Sequence, residues 1–118
     1  MSASFEIERL SLDGVEIVNV SGELDHATAP RLREALDEAL AVDGSPVVVD
    51  MSDCGFIDST GLGLLLESQR RLVDADRRFG ICCARGEVIR LLELTGIDSA
   101  VVVFATRDDA LSRLGASP

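Results

Sequence analysis

The chain has 118 residues, 47% of them hydrophobic, and a formal net charge of −10 in which all 11 cations are arginine. It is long enough for one domain with its own hydrophobic core, and so acidic a surface argues against binding the phosphates of DNA or RNA. The three cysteines lack the spacing of a disulfide framework, residues 1–8 lack an apolar signal segment, and no apolar run could span a membrane, so we expect a cytoplasmic protein.

The first half of the chain predicts a hairpin, a helix and a buried strand. Asp13-Gly14 separates two strand-like runs, and this dipeptide favours a tight hairpin because both residues tolerate positive φ. Thr28 is a suitable N-cap for a helix whose first turn contains Pro30. The segment DGS at 43–45 ends that helix. The continuous apolar run PVVVDM at 46–51 predicts a strand buried on both faces.

The second half alternates helices and strands. A helix follows the buried strand, with a predicted core-facing stripe of Leu62, Leu65, Leu66, Gln69, Leu72 and Val73. Next come a strand at RFGICCA, a helix that ends at Gly96, a strand at AVVVFA, and a terminal helix capped by Thr106. The order β-β-α-β-α-β-α-β-α predicts one α/β domain over residues 1–118: an N-terminal hairpin, then alternating βα units forming a mostly parallel sheet with helices packed on it.

Two loops follow the carboxyl ends of predicted strands, where sites in such sheets gather. They are residues 21–27 and residues 52–60, and the second contains the hydroxyl pair Ser59 and Thr60. A hydrolase elbow is disfavoured because Ile57 replaces the first glycine of G-x-S-x-G, and a phosphate-binding P-loop is excluded because the chain has no lysine. A helix N-cap at Ser59 is the simplest interpretation, and an exposed hydroxyl at a helix start is also well placed to carry a phosphate.

Other chemical sites have weaker support. His26, with Glu23 and Asp25, could hold a divalent ion, but such residues are more typical of a solvated turn, so we predict neither a metal nor a cofactor. Cys82 and Cys83 are adjacent in a strand and point to opposite faces. Cys54, in the second loop, is the one cysteine we would examine for redox sensitivity.

The segments GELDHATA at 22–29 and FIDSTGLGLLL at 56–66 resemble the two signature loops of bacterial anti-sigma factor antagonists, the single-domain STAS family. The ending ALSRLGAS is similar to the family's terminal helix. The resemblance implies the STAS-domain fold, a small mixed sheet flanked by helices. It also implies a regulatory protein without enzymatic activity.

In this family the unphosphorylated antagonist binds an anti-sigma factor that is also a serine kinase, and so releases a sigma factor. The kinase uses Mg-ATP to phosphorylate the serine after the motif's aspartate. A PP2C-type phosphatase removes this phosphate and restores the unphosphorylated serine. The resemblance makes Ser59 the phosphoacceptor and places Asp25 beside it. The implied partner-binding residues are Glu23, Asp25, His26, Asp58, Thr60, Gly61, Leu62 and Gly63.

Two further expectations complete this interpretation. Gly61 and Gly63 would keep the helix start bare, so that a kinase could approach closely, and the free protein would be a monomer. The alternative is a STAS scaffold subunit of a stress-sensing or transport complex. That class often lacks a free phosphoacceptor, whereas Ser59 is present in this chain.

Overall fold

The structure is a computed structural model that describes residues 5–42, 44–84 and 86–115. Its strands are β1 (Glu6–Leu12), β2 (Val15–Leu24), β3 (Val47–Ile57), β4 (Phe79–Cys82) and β5 (Val102–Phe104). Its helices are α1 (Ala29–Ala41), α2 (Ser59–Asp74), α3 (Gly86–Thr95), α4 (Ile97–Ala100) and α5 (Arg107–Leu114). The predicted break after α1 begins at Asp43, which lies outside the described residues.

The five strands form one mixed sheet in the order β1-β2-β3-β4-β5. The β1–β2 pair is an antiparallel hairpin, and the next three pairs are parallel. Asp13 and Gly14 form the hairpin turn with φ of 52° and 78°, as their sequence predicts. The predicted α/β class and mixed sheet are therefore confirmed.

The core divides between the two faces of the sheet. On one face, β2 and β3 pack against α1 and α2, with contributions from α3 and α4. On the other face, a smaller cluster packs against α5 alone. Residues 47–51 of β3 are all buried, and Val48 belongs to one cluster while Val49 belongs to the other. The prediction of a strand buried on both faces is confirmed.

The central strands are longer than the sequence predicts. β2 continues to Leu24 and β3 to Ile57, so much of both predicted loops is strand. A bulge between Gly22 and Glu23 keeps the two strands paired through this irregular stretch. The connections that remain are residues 25–28 and the single residue Asp58. The last strand is shorter than predicted, because the unpredicted helix α4 takes up part of the segment before it.

The buried face of α2 also differs from the predicted stripe. Leu66 is 36% exposed and Val73 is 56% exposed. The residues that face the core are Gly61, Leu64, Leu65, Ser68 and Leu72. The physical reason is size and hydrogen bonding: two small residues allow the helix close to the sheet, and Ser68 is tolerated there because its hydroxyl donates to the Leu64 carbonyl at 2.8 Å.

Several predicted helix termini are confirmed. The Thr106 hydroxyl accepts the Asp109 N–H at 3.0 Å and caps α5. Gly96, with φ of 79°, follows the last residue of α3. No helix in the described part of the chain has both the length and the apolar character to cross a membrane.

Candidate functional site

The two signature segments meet where β2 and β3 end. The strands run parallel, and their last pairs are Glu23 with Phe56 and Leu24 with Ile57. Beyond the last pair, the Asp58 N–H donates to the Leu24 carbonyl at 3.1 Å. Pairing of neighbouring parallel strands therefore brings residues more than 30 positions apart in the sequence to one edge of the sheet.

The carboxylate of Asp58 joins the two segments. Its Oδ1 accepts the Gly61 N–H at 3.0 Å, and its Oδ2 accepts the His26 N–H at 3.0 Å. The first bond makes Asp58 the N-cap of α2, so the prediction of Ser59 as N-cap is wrong by one residue. A carboxylate is favoured at this position because its charge also interacts with the positive end of the helix.

Ser59 is consequently the first helical residue, and both Ser59 and Thr60 are exposed. Because Asp58 provides the cap, the Ser59 hydroxyl is not needed for that purpose. Thr60, one residue further along the turn, lines a groove between the N-terminal ends of α1 and α2. The two hydroxyls therefore differ in surroundings although they are adjacent.

Asp25 is held within its own turn. Its Oδ1 accepts the N–H groups of Ala27 and Thr28 at 2.9 and 3.1 Å. Thr28 occupies the N-cap position of α1, but its side chain makes no cap bond; its hydroxyl donates instead to the Glu23 carbonyl at 2.7 Å. The carboxylate that bridges the two loops is thus that of Asp58, rather than that of Asp25, which the resemblance places beside the acceptor.

Gly61 has an internal reason to be glycine. It is buried, and a Cβ atom there would lie 2.7 Å from Cγ1 of Ile57 and 2.9 Å from Cγ of Leu24. Contacts this short would force the helix away from the strand ends. The expectation that Gly61 keeps the helix start bare for a kinase is therefore wrong, because Gly61 is buried. Gly63, in contrast, is exposed and has open space around its Cα.

The remaining predicted residues lie around this edge. Glu23 and His26 are exposed, and Leu62 is half-buried and packs against the core. Phe56, beside Glu23 in the sheet, is 41% exposed. Sequence reasoning did not select Phe56, because an aromatic residue next to a strand end is equally typical of the core.

The groove beside Thr60 is a second feature that the sequence did not reveal. It has a volume of about 360 Å³ and is lined by His26, Ala29, Pro30, Arg33, Thr60 and Leu64. Arg33 pairs across the helices with Glu67 at 2.5 Å. A contact between separate helices leaves no local pattern in the sequence, so this pair could not be predicted from spacing.

Cys54 is buried, and its Sγ lies 3.2 Å from the Phe56 carbonyl. Burial raises the pKa of the Cys54 thiol, and burial likewise raises the pKa of Cys82 to about 12. A thiol kept protonated is a poor nucleophile. The structure therefore speaks against the redox role considered for Cys54.

Asp58→Ala is expected to lower the free energy of unfolding by about 2 kcal/mol, because it removes a helix cap and a second hydrogen bond, each worth about 1 kcal/mol. Urea unfolding followed by circular dichroism measures this. Asp58→Asn is the matched control: its single side-chain oxygen can keep one of the two bonds, so about half the loss is expected. An asparagine variant as unstable as the alanine variant would contradict the two-bond account.

Comparison with known proteins gives a consistent result. A family model described as the STAS domain matches residues 6–110. The anti-sigma-F factor antagonist RsfB of Mycobacterium tuberculosis is 35% identical over 101 residues, which cover 85% of this chain and 81% of that protein. The anti-sigma F factor antagonist of Paenibacillus polymyxa is 30% identical over 112 residues, covering 94% and 96%.

The fold comparison agrees with the sequence comparisons. A crystal structure of an anti-sigma factor antagonist from Mycobacterium paratuberculosis matches with a TM-score of 0.87 at 35% identity, and the match covers 97% of this chain and 98% of that one. The strand ends, the Asp58 carboxylate that joins the two segments and the exposed Ser59 all fall within the residues matched by the family model. The chain therefore belongs to the STAS domain family, and the relatives named above are anti-sigma factor antagonists.

Proposed function

We propose that this protein is an anti-sigma factor antagonist controlled by phosphorylation of Ser59. The unphosphorylated form binds an anti-sigma factor that is also a serine kinase, and a sigma factor is released. Phosphorylation by that kinase ends the interaction, and a metal-dependent phosphatase of the PP2C type restores it. The protein acts in the cytoplasm by binding and has no catalytic activity of its own.

The observation that carries the proposal is the exposed hydroxyl of Ser59 at the start of α2. Asp58 caps the helix in its place, so the serine is free to enter a kinase active site. Glu23, His26 and Gly63 are exposed around the same edge and offer a surface for the kinase. The names of the relatives support the identity of the partner as an anti-sigma factor.

A phosphate at Ser59 acts by local charge rather than by refolding. It adds about −1.5 to −2 charges at pH 7, on a chain whose net charge is already −10. Like charges brought together in an interface cost several kcal/mol. In the free protein the positive end of α2 offsets part of the repulsion, so the fold tolerates the modification.

Incubation with the cognate kinase and Mg-ATP tests the assignment, with intact-mass measurement as the readout. We expect one phosphate on the wild-type chain, none on Ser59→Ala, and one on Thr60→Ala, which is the matched control. A phosphate that persists on Ser59→Ala and disappears from Thr60→Ala would move the acceptor to Thr60.

The same experiment separates the alternative, a STAS scaffold in a stress-sensing or transport complex. A scaffold does not need an acceptor serine, so the wild-type chain would take up no phosphate. Purification of partners on the Ser59→Ala variant would then recover other components of a complex and no anti-sigma factor.

A further inference from the structure

One cationic side chain borders the groove beside the hydroxyl pair. Arg33 extends from α1, and Thr60 and Leu64 approach from α2. The groove floor is apolar, since Ala29 and Leu64 are buried. Arg33 therefore lines an apolar groove that reaches the start of α2, while its guanidinium is held on Glu67 further along that helix.

The partner of Arg33 is a single carboxylate. Its Nη1 lies 2.5 Å from Oε2 of Glu67, and the side chains are 48% and 42% exposed. The hydrogen bond that the Arg33 guanidinium donates to the Glu67 carboxylate raises the pKa of Arg33 and lowers the pKa of Glu67. An ion pair this exposed contributes little to stability, so a stronger anion can displace Glu67 from it.

A second pair lies further along the same two helices. Arg71 on α2 bonds Asp37 on α1 at 2.8 Å, with side chains that are 39% and 52% exposed. Together the pairs form a seam of charges between α1 and α2. Of the two arginines in this seam, Arg33 lines the groove with Thr60, and Arg71 does not.

We propose that Arg33 receives the phosphate of Ser59: its guanidinium leaves Glu67 for the phosphate, and the Glu67 carboxylate loses its ion-pair partner. The proposal rests on Ser59 being the acceptor, as set out above. It adds a positioning residue that converts one modification into a change of charge at two places.

Charge supports this exchange. Thr60 lines the groove with Arg33, and Ser59 is the preceding residue in the first turn of α2, so the guanidinium has to turn from Glu67 toward the helix start to meet the phosphate. A phosphate dianion offers three acceptor oxygens and can bind a guanidinium through two parallel bonds, whereas the structure shows one Arg33 nitrogen on Glu67. The other charged groups at this edge are mainly carboxylates, including Asp58 and Asp25. Because they repel a phosphate, an arginine that contacts it offsets part of that repulsion.

The exchange would extend the effect of phosphorylation along α2. Glu67 lies eight positions after Ser59, or just over two helical turns. When its carboxylate loses Arg33, negative charge appears on the seam as well as at the helix start. A partner that covers both places would meet two repulsive groups after one phosphorylation.

The test uses full-length protein carrying phosphoserine at position 59, installed during translation so that no kinase is required. Phosphorus NMR during a pH titration gives the second pKa of the phosphate, which is about 6 without special contacts. A guanidinium in contact with the phosphate lowers this pKa. Arg33→Met is therefore expected to raise it by about 0.5 units or more relative to the wild-type chain.

Arg71→Met is the matched control, because it removes the same charge from the same seam at a residue that does not line the groove. We expect its effect on the phosphate pKa to be less than half that of Arg33→Met. Equal effects of the two variants, or no effect of either, would overturn the proposal. Arg33 would then act on the phosphate only through the overall electrostatic field of the protein. A second readout is the side-chain Nε–H signal of Arg33, which should shift when the phosphate is present.

The outcomes separate this inference from the proposed function. If the kinase fails to modify Ser59 but Arg33 still lowers the phosphate pKa, the geometry holds and the regulatory cycle is wrong. If the kinase modifies Ser59 and Arg33→Met does not change the phosphate pKa, the regulatory cycle is supported but Arg33 does not bind the phosphate. Thermal unfolding of each unphosphorylated variant checks that the substitutions leave the fold intact.

Discussion

Ser59→Asp is expected to weaken binding to the cognate anti-sigma kinase by about a hundredfold, or about 2.8 kcal/mol. The aspartate places a permanent charge at the exposed first residue of α2, where the partner would have to cover it. A buried like-charge contact can supply an energy of this size without any change in backbone structure. Isothermal titration calorimetry with the purified kinase measures the effect.

Ser59→Asn is the control, because asparagine has nearly the shape of aspartate without its charge. It should bind within about tenfold of the wild-type protein, a limit that corresponds to about 1.4 kcal/mol. The difference between the two variants should also shrink as salt is added, since exposed charges are screened. If asparagine weakens binding as much as aspartate, the switch depends on shape at this position and the charge account fails.

Arg77→Met is expected to lower the free energy of unfolding by about 3 kcal/mol, through loss of charged hydrogen bonds and of buried polar partners. Arg77 is 8% exposed and follows the end of α2. Its guanidinium donates to the carbonyls of Ala39, Leu40 and Ser45 at 2.6 to 3.2 Å. A positive charge at the C-terminus of α1 is also favoured by the helix dipole.

Urea unfolding measures this loss, and Arg70→Met is its control. Arg70 is exposed on α2, so its replacement should change the unfolding free energy by less than about 0.5 kcal/mol. A loss for Arg77→Met no larger than that of the control would show that water replaces the guanidinium at the end of α1. The proposed binding surface lies at the opposite end of that helix, so we expect binding to survive wherever the variant is folded.

Local features of the sequence were sufficient for the secondary structure that depends on near neighbours. The Asp13-Gly14 turn, the buried run in β3, the Gly96 terminus of α3 and the Thr106 cap all follow from backbone preferences within a few residues. Alternation of these elements predicted the mixed α/β sheet. The motifs at 22–29 and 56–66 predicted the family, which the family model then matched.

Apolar spacing was less informative about α2. Leu66 and Val73 fit a helical stripe as well as the residues that are buried. Periodicity measures apolar character, whereas the position of the helix also depends on how closely Gly61 and Ser68 let it approach the sheet. The sequence therefore predicted an amphipathic helix correctly, but the predicted buried face is rotated about the helix axis relative to the observed one.

The sequence by itself determined most of the elements, the family and the motif that contains Ser59. Only the tertiary structure decided that Asp58 holds the His26 loop, that Gly61 is needed by the core because of Leu24, and that Arg33 pairs with Glu67 beside the groove. The physical reason is the range of the interactions. Turns and caps depend on a few consecutive residues, whereas these contacts join segments 30 or more positions apart and exist only once parallel strands and neighbouring helices have packed.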